Sequence, residues 1–82
     1  MVEYEWVRIA RDLERLIRSG EIPPGGRLEN ERALADVYQV SPGTVRRAVR
    51  DLRERGLVET LAAKGTYVVD PLPPASGETS PR

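Results

Sequence analysis

Two helix-start signals stand eleven residues apart in this chain, and nothing else in it restricts the fold as much. Asn30 can cap a short helix. Its first turn holds Glu31, a favourable charge at the positive helix end, and its apolar side is Leu34, Ala35 and Tyr38. After only Gln39 and Val40, Ser41-Pro42 repeats the signal: a serine oxygen for the free backbone N–H groups, and proline at the first helical position. The helix that follows turns Val45, Ala48, Val49 and Leu52 inward and is stopped by Gly56. The spacing therefore predicts helices over Glu31–Tyr38 and about 42–55, joined by about three residues.

An earlier helix is predicted over 6–17, where Trp6, Ile9, Ala10, Leu13, Leu16 and Ile17 form one apolar stripe between charged residues. Ser19-Gly20 ends it, and Pro23-Pro24-Gly25-Gly26 predicts a connector without regular structure. Beyond Gly56, residues 57–62 and 66–69 are rich in apolar and β-branched side chains and read as a two-stranded hairpin with Ala63-Lys64-Gly65 at its tip. A lone hairpin is marginal in water, so this one must pack on the helices. Trp6, Tyr4 and Tyr67 read as core or rim packing, since stacking platforms for bases need clustered exposed aromatics. The expected organisation is a domain over 1–70 and a disordered Pro/Ser/Gly-rich tail over 71–82, which has almost nothing to bury.

The chain's 82 residues suffice for one small core, and a separate ligand-sensing domain does not fit within them. It has no cysteine and no histidine, which removes disulfides, thiolate metal sites, the usual general base and the commonest metal ligand. No catalytic, metal or cofactor site is expected. No apolar run approaches the roughly 20 residues that span a bilayer. The acidic, aromatic start lacks a signal peptide's basic region, so a cytoplasmic location is expected and no membrane partner. The formal net charge is zero, but its layout is uneven. Residues 1–31 carry five basic and seven acidic groups, residues 32–55 six and three, and residues 56–82 two and three. The middle of the chain alone is basic, as suits a protein with one edge facing a polyanion.

Two helices joined by a short turn, the second far more basic on its outer face, form a helix-turn-helix signature, and the hairpin adds a wing. The fold class is thus mainly α with a small β-hairpin: a winged helix-turn-helix of three helices and a two-stranded wing. At about 100° per residue, Arg46, Arg47 and Arg50 fall opposite the apolar stripe of the third helix. Such arginines suit the major groove of double-stranded DNA, where they pair with guanine or grip phosphate. Ser41, Gly43 and Thr44 are small enough to let the front of that helix approach closely, and Lys64-Gly65 at the hairpin tip can reach the adjacent groove or backbone. The same helical face also has a plainer reading as a solvated surface, because Arg47 and Asp51, Arg50 and Glu54, and Asp51 and Arg55 are each four apart. The neighbouring helix, turn and hairpin favour the DNA reading.

These residues resemble the DNA-binding domain of GntR-type bacterial regulators across nearly all of 4–69. The resemblance rests on Ile17-Arg18-Ser19-Gly20-Glu21-Ile22-Pro23-Pro24-Gly25-Gly26-Arg27-Leu28, Glu31-Arg32-Ala33-Leu34-Ala35, Val40-Ser41-Pro42-Gly43-Thr44-Val45-Arg46-Arg47-Ala48, Gly56-Leu57-Val58 and Lys64-Gly65-Thr66-Tyr67-Val68. It implies that Arg32 contacts the DNA backbone, that Ser41, Gly43, Thr44 and Arg46 lie at the groove, and that Lys64 and Gly65 form the wing tip. Arg47 and Arg50 join the set from the helical wheel. The chain departs from the family pattern at Pro42, where a polar residue is common, at Glu29, usually proline, and at Ala63, usually glycine. The resemblance implies a transcriptional regulator, with repression the expected direction and activation and homodimerisation on paired half-sites left open. A winged-helix module for protein–protein interaction is the competing reading, favoured by the zero net charge; an enzyme is a distant third.

Overall fold

The computed structural model describes residues 4–74. The chain runs α1 (Glu5–Ser19), α2 (Glu31–Tyr38), α3 (Pro42–Glu54), β1 (Val58–Leu61) and β2 (Gly65–Val68), which is the expected set of three helices and a two-stranded wing. The caps explain the boundaries. The Asn30 side chain accepts from the Ala33 N–H at 2.8 Å, and Ser41 Oγ from the Thr44 N–H at 3.3 Å with Pro42 in the first turn. Between the two helices Gln39 takes a left-handed backbone (φ 60°), and its N–H returns to the Ala35 carbonyl. α1 outruns the expected 6–17 at both ends, closing at Gly20, whose N–H reaches the Ile17 carbonyl at 3.2 Å. Tyr4, expected to pack in the core or at its rim, is instead 72% exposed and contributes no side-chain cap.

α3 is the centre of the domain, with α1 and α2 both packed on it and β1 running off its end. Ile9, Leu13 and Ile17 from α1 meet Val45 and Leu52 from α3 and Leu57 and Val68 from the wing, all below 2% exposure. Burying a side chain of this size stabilises by roughly 1.5–3 kcal/mol. Two polar ties reinforce the packing. The Tyr38 hydroxyl donates to Asp12 Oδ2 at 2.6 Å, fastening the end of α2 to α1. That bond, then the one from Arg15, holds the Asp12 carboxyl below the usual range, while burial and then Asp12 push the Tyr38 phenol up. At the end of α3, Arg55 donates to Glu14 (2.9 Å) and Asp51 (3.0 Å), joining α3 to α1.

The wing pairs antiparallel, with Val58 opposite Val68, Glu59 opposite Tyr67, Thr60 opposite Thr66 and Leu61 opposite Gly65. Its outer edge departs from the expectation. The end of the connector after α1 is not irregular: Arg27 bridges Tyr67, the Leu28 N–H reaches the Thr66 carbonyl at 2.8 Å, and Gly26 O accepts from Val68 N at 2.8 Å. β2 is thus paired on both edges. Leu28 drives this, because burying its side chain (4% exposed) brings the connector backbone alongside β2. The tail expected to be disordered from Pro71 starts instead as a return to α1. Leu72 packs against the core, and Arg18 donates to the carbonyls of Pro73 (2.6 Å) and Pro74 (3.3 Å). The rest of that expected tail, 75–82, and residues 1–3 lie outside the described residues.

Candidate nucleic-acid interface

The outer face of α3 carries Arg46, Arg50 and Arg53, spaced four and three apart and all exposed. At helical periodicity these form one stripe. Arg46 and Arg50 belong to the expected set, and Arg53, which shares their spacing, lies outside it. Its Nη1 donates to Thr60 Oγ1 at 3.1 Å, and Thr60 is in turn 3.1 Å from Thr66 Oγ1, so a chain of hydrogen bonds fixes the wing relative to the arginine stripe.

Between that stripe, the start of α2 and the base of the wing lies an open groove of about 610 Å³. Arg27, Arg32, Arg46 and Arg53 line it together with Glu29 and Glu31, leaving two formal positive charges in excess. Arg27 reaches it only because of the third edge pairing. Its guanidinium lies across Gly65, where a Cβ would stand 2.7 Å from Arg27 Nε; Gly65 also has φ 122°. The backbone therefore favours glycine at the wing tip, and a larger residue there would push the exposed Arg27 side chain aside. No local signal in the sequence marks Arg27, since strand pairing alone carries it there.

The five charged residues of the expected site divide into three groups. Arg32, Arg50 and Lys64 are exposed and form no ion pair among the described residues. Arg46 is 63% exposed, yet its guanidinium meets Glu31 side-on, with Nε at 3.2 and 3.3 Å from the two carboxylate oxygens and Nη2 at 3.1 Å from one of them. The hydrogen bond to Glu31 raises the Arg46 pKa further. Arg47 does not extend outward as the helical wheel suggests: its guanidinium lies 4.6 Å above the Trp6 ring, a cation–π contact with α1. Of the three anticipated pairs four residues apart, the one between Asp51 and Arg55 forms.

At the front of α3, Ser41, Gly43 and Thr44 lie together. Ser41 Oγ and Thr44 Oγ1 are 3.1 Å apart, so both hydroxyls already serve the cap. Gly43 has open space before it, as a Cβ there would meet only Ser41 Oγ, at 3.9 Å. The fold itself does not demand glycine at this position. Lys64 and Gly65 sit at the wing tip, with the Tyr67 hydroxyl bonded to the Lys64 carbonyl at 3.2 Å. Among the described residues no group of acidic, histidine or cysteine side chains is arranged to hold a metal, and no helix is long and apolar enough to cross a membrane.

Comparison with known proteins agrees with this geometry. Residues 6–68 match the family described as bacterial regulatory proteins, gntR family. The chain is 43% identical over 53 residues to the HTH-type transcriptional regulator LutR of Bacillus subtilis, covering 65% of this chain and 24% of LutR. It is 34% identical over 61 residues to the HTH-type transcriptional repressor YtrA of the same organism, covering 74% of this chain and 47% of YtrA. The chain thus spans a quarter to a half of the length of these relatives. Among solved structures it resembles AraR(DBD) in complex with an operator, with a TM-score of 0.80 at 26% identity, covering 84% of this chain and 83% of that one. A GntR family transcriptional regulator from Listeria monocytogenes gives 0.79 at 27% identity over 82% of this chain and 59% of its own. The three helices and wing, the arginine-lined groove and the family match over 6–68 lead to one conclusion: the chain belongs to the gntR family of bacterial regulatory proteins.

Proposed function

We propose that this chain binds duplex DNA as a bacterial transcriptional repressor, with α3 in the major groove and the wing on the adjacent groove or backbone. The observation that carries the reading is the continuity of the arginine stripe on α3 with a positively charged groove that runs to the wing. Gly43 supports it, since open space ahead of a glycine that the fold does not need suits close approach of a base or phosphate. The structural likeness to AraR bound to its operator supports it as well. In this reading Arg46 and Arg50 face base edges, Ser41, Gly43 and Thr44 admit the DNA, and Arg32, Lys64 and Gly65 meet the backbone, while Arg47 stays on Trp6. Arg27 joins them from the wing side. The protein acts in the cytoplasm, and a second copy on a neighbouring half-site supplies additional affinity.

The test is selection from a random duplex pool at two salt concentrations, with wild type and Arg46→Ala in parallel. Wild type enriches a motif and binds less tightly as salt rises, because phosphate contacts release counterions. Arg46→Ala weakens operator binding by about 1–3 kcal/mol and relaxes the preference at one position. Absence of any enriched motif and of salt-dependent binding would reject the DNA reading and favour a protein-interaction module.

A further inference from the structure

We propose that Glu31 is a specificity-determining residue: it positions Arg46 so that the end of the guanidinium is presented to a guanine. The proposal rests on the reading that α3 lies in the major groove. Arg46 and Glu31 are brought together by the α2–α3 turn, with Glu31 in the first turn of α2 beside the Asn30 cap and Arg46 in the second turn of α3. Both backbones are fixed by capped helices. The carboxylate takes the side edge of the guanidinium, through Nε and Nη2. An arginine has five N–H donors in a planar fork. A side-on partner occupies two of them and leaves the terminal edge, formed by Nη1 and the outer hydrogen of Nη2, as the pair of donors available to guanine O6 and N7. Holding the long side chain in one rotamer before binding lowers the ordering cost on contact with DNA.

The sign of the charge adds a second argument. A carboxylate facing a duplex repels phosphates, so Glu31 weakens binding to every sequence equally. A residue that reduces general affinity while orienting the base-reading arginine raises the ratio of specific to non-specific binding, which is the quantity that matters for a regulator.

The experiment is the same duplex selection carried out with wild type, Glu31→Ala, Glu31→Gln, Arg46→Ala and the double variant Glu31→Ala/Arg46→Ala. Circular dichroism melts verify that each variant folds. The expected result has three parts. Arg46→Ala flattens a guanine position, and both Glu31 variants reduce discrimination at that same position by about tenfold. Glu31→Ala binds non-specific duplex more tightly than wild type, through the lost repulsion. The double variant discriminates no worse than Arg46→Ala alone.

Four results would overturn the proposal. Undiminished guanine discrimination in both Glu31 variants, with tighter operator binding, would make Glu31 a competitor for Arg46. Loss at a different base position would mean that Glu31 reads a base itself, and additive losses in the double variant would separate the two residues in the same way. An unchanged motif in Arg46→Ala would remove the premise that Arg46 reads a base. That outcome differs from a proposal that fails while Arg46→Ala still flattens its position.

Discussion

Replacing Ala63 with glycine should stabilise this domain, although the change deletes a methyl group and adds no contact. Ala63 lies at the exposed wing tip with φ 63°, inside the left-handed region. An L-residue there costs roughly 1–2 kcal/mol, because its Cβ crowds the following carbonyl oxygen. Glycine escapes that cost but returns roughly 0.5–1 kcal/mol through its greater freedom in the unfolded chain. The exposed methyl contributes little burial, so the net gain is about 0.5–1 kcal/mol. For a domain of this size about 1 kcal/mol corresponds to roughly 4–8 °C in melting temperature. Ala63→Gly should therefore melt about 3–6 °C above wild type, with a higher urea midpoint and an unchanged m value. Thermal and urea unfolding followed by circular dichroism measure both. A melting temperature equal to or below wild type would refute the strain argument and show that the tip relaxes without help.

Two further perturbations address the ties between helices. Tyr38→Phe removes the hydroxyl that donates to Asp12 and should cost about 1 kcal/mol at neutral pH. Asp12 is held below its ordinary value of 3.8, so its contribution is complete above that pH and is lost as the pH falls through the depressed folded value. The raised Tyr38 phenol contributes below its ordinary value of 10.0 and loses its contribution as pH rises through the folded value. Urea titrations should find the gap between wild type and variant between these limits and closing in acid; a gap independent of pH would contradict the assignment. Arg47→Ala should remove about 0.5–1 kcal/mol of cation–π stabilisation and alter the emission of Trp6, the sole tryptophan in the chain. Identical emission and stability would show that the contact carries no energy.

The parts of this molecule that were legible in its sequence are those fixed within one helical turn. Asn30, Ser41, Pro42 and the inward-facing Val45, Ala48, Val49 and Leu52 place α2 and α3 because caps and periodicity act over three or four residues. What escaped depends on chain segments meeting from afar. Arg27 enters the groove through pairing with Tyr67, forty residues on, and Arg47 is drawn to Trp6, forty-one residues back. Its local partner Asp51 serves Arg55 instead, and Arg46 finds Glu31 fifteen residues earlier. A helical wheel shows that an arginine points away from the core, but not which neighbour it meets outside.

Partner choice also explains how a chain of zero net charge can present a basic face. Asp12, Glu14 and Asp51 neutralise Arg15, Arg18 and Arg55, on α1 and where the end of α3 joins it. Arg32, Arg50 and Lys64 have no such partner among the described residues, and the Arg53 guanidinium bonds only a neutral hydroxyl. Opposite charges that cancel within a few ångströms contribute little field beyond a Debye length of about 8 Å, whereas unpaired ones act across it. The potential that a duplex meets is therefore set by which cations are left unpaired and where they stand. Glu29 and Glu31 are the carboxylates among the arginines of that groove, and the side-on grip of Arg46 by Glu31 gives its placement a physical purpose in orienting a contact rather than attracting a polyanion.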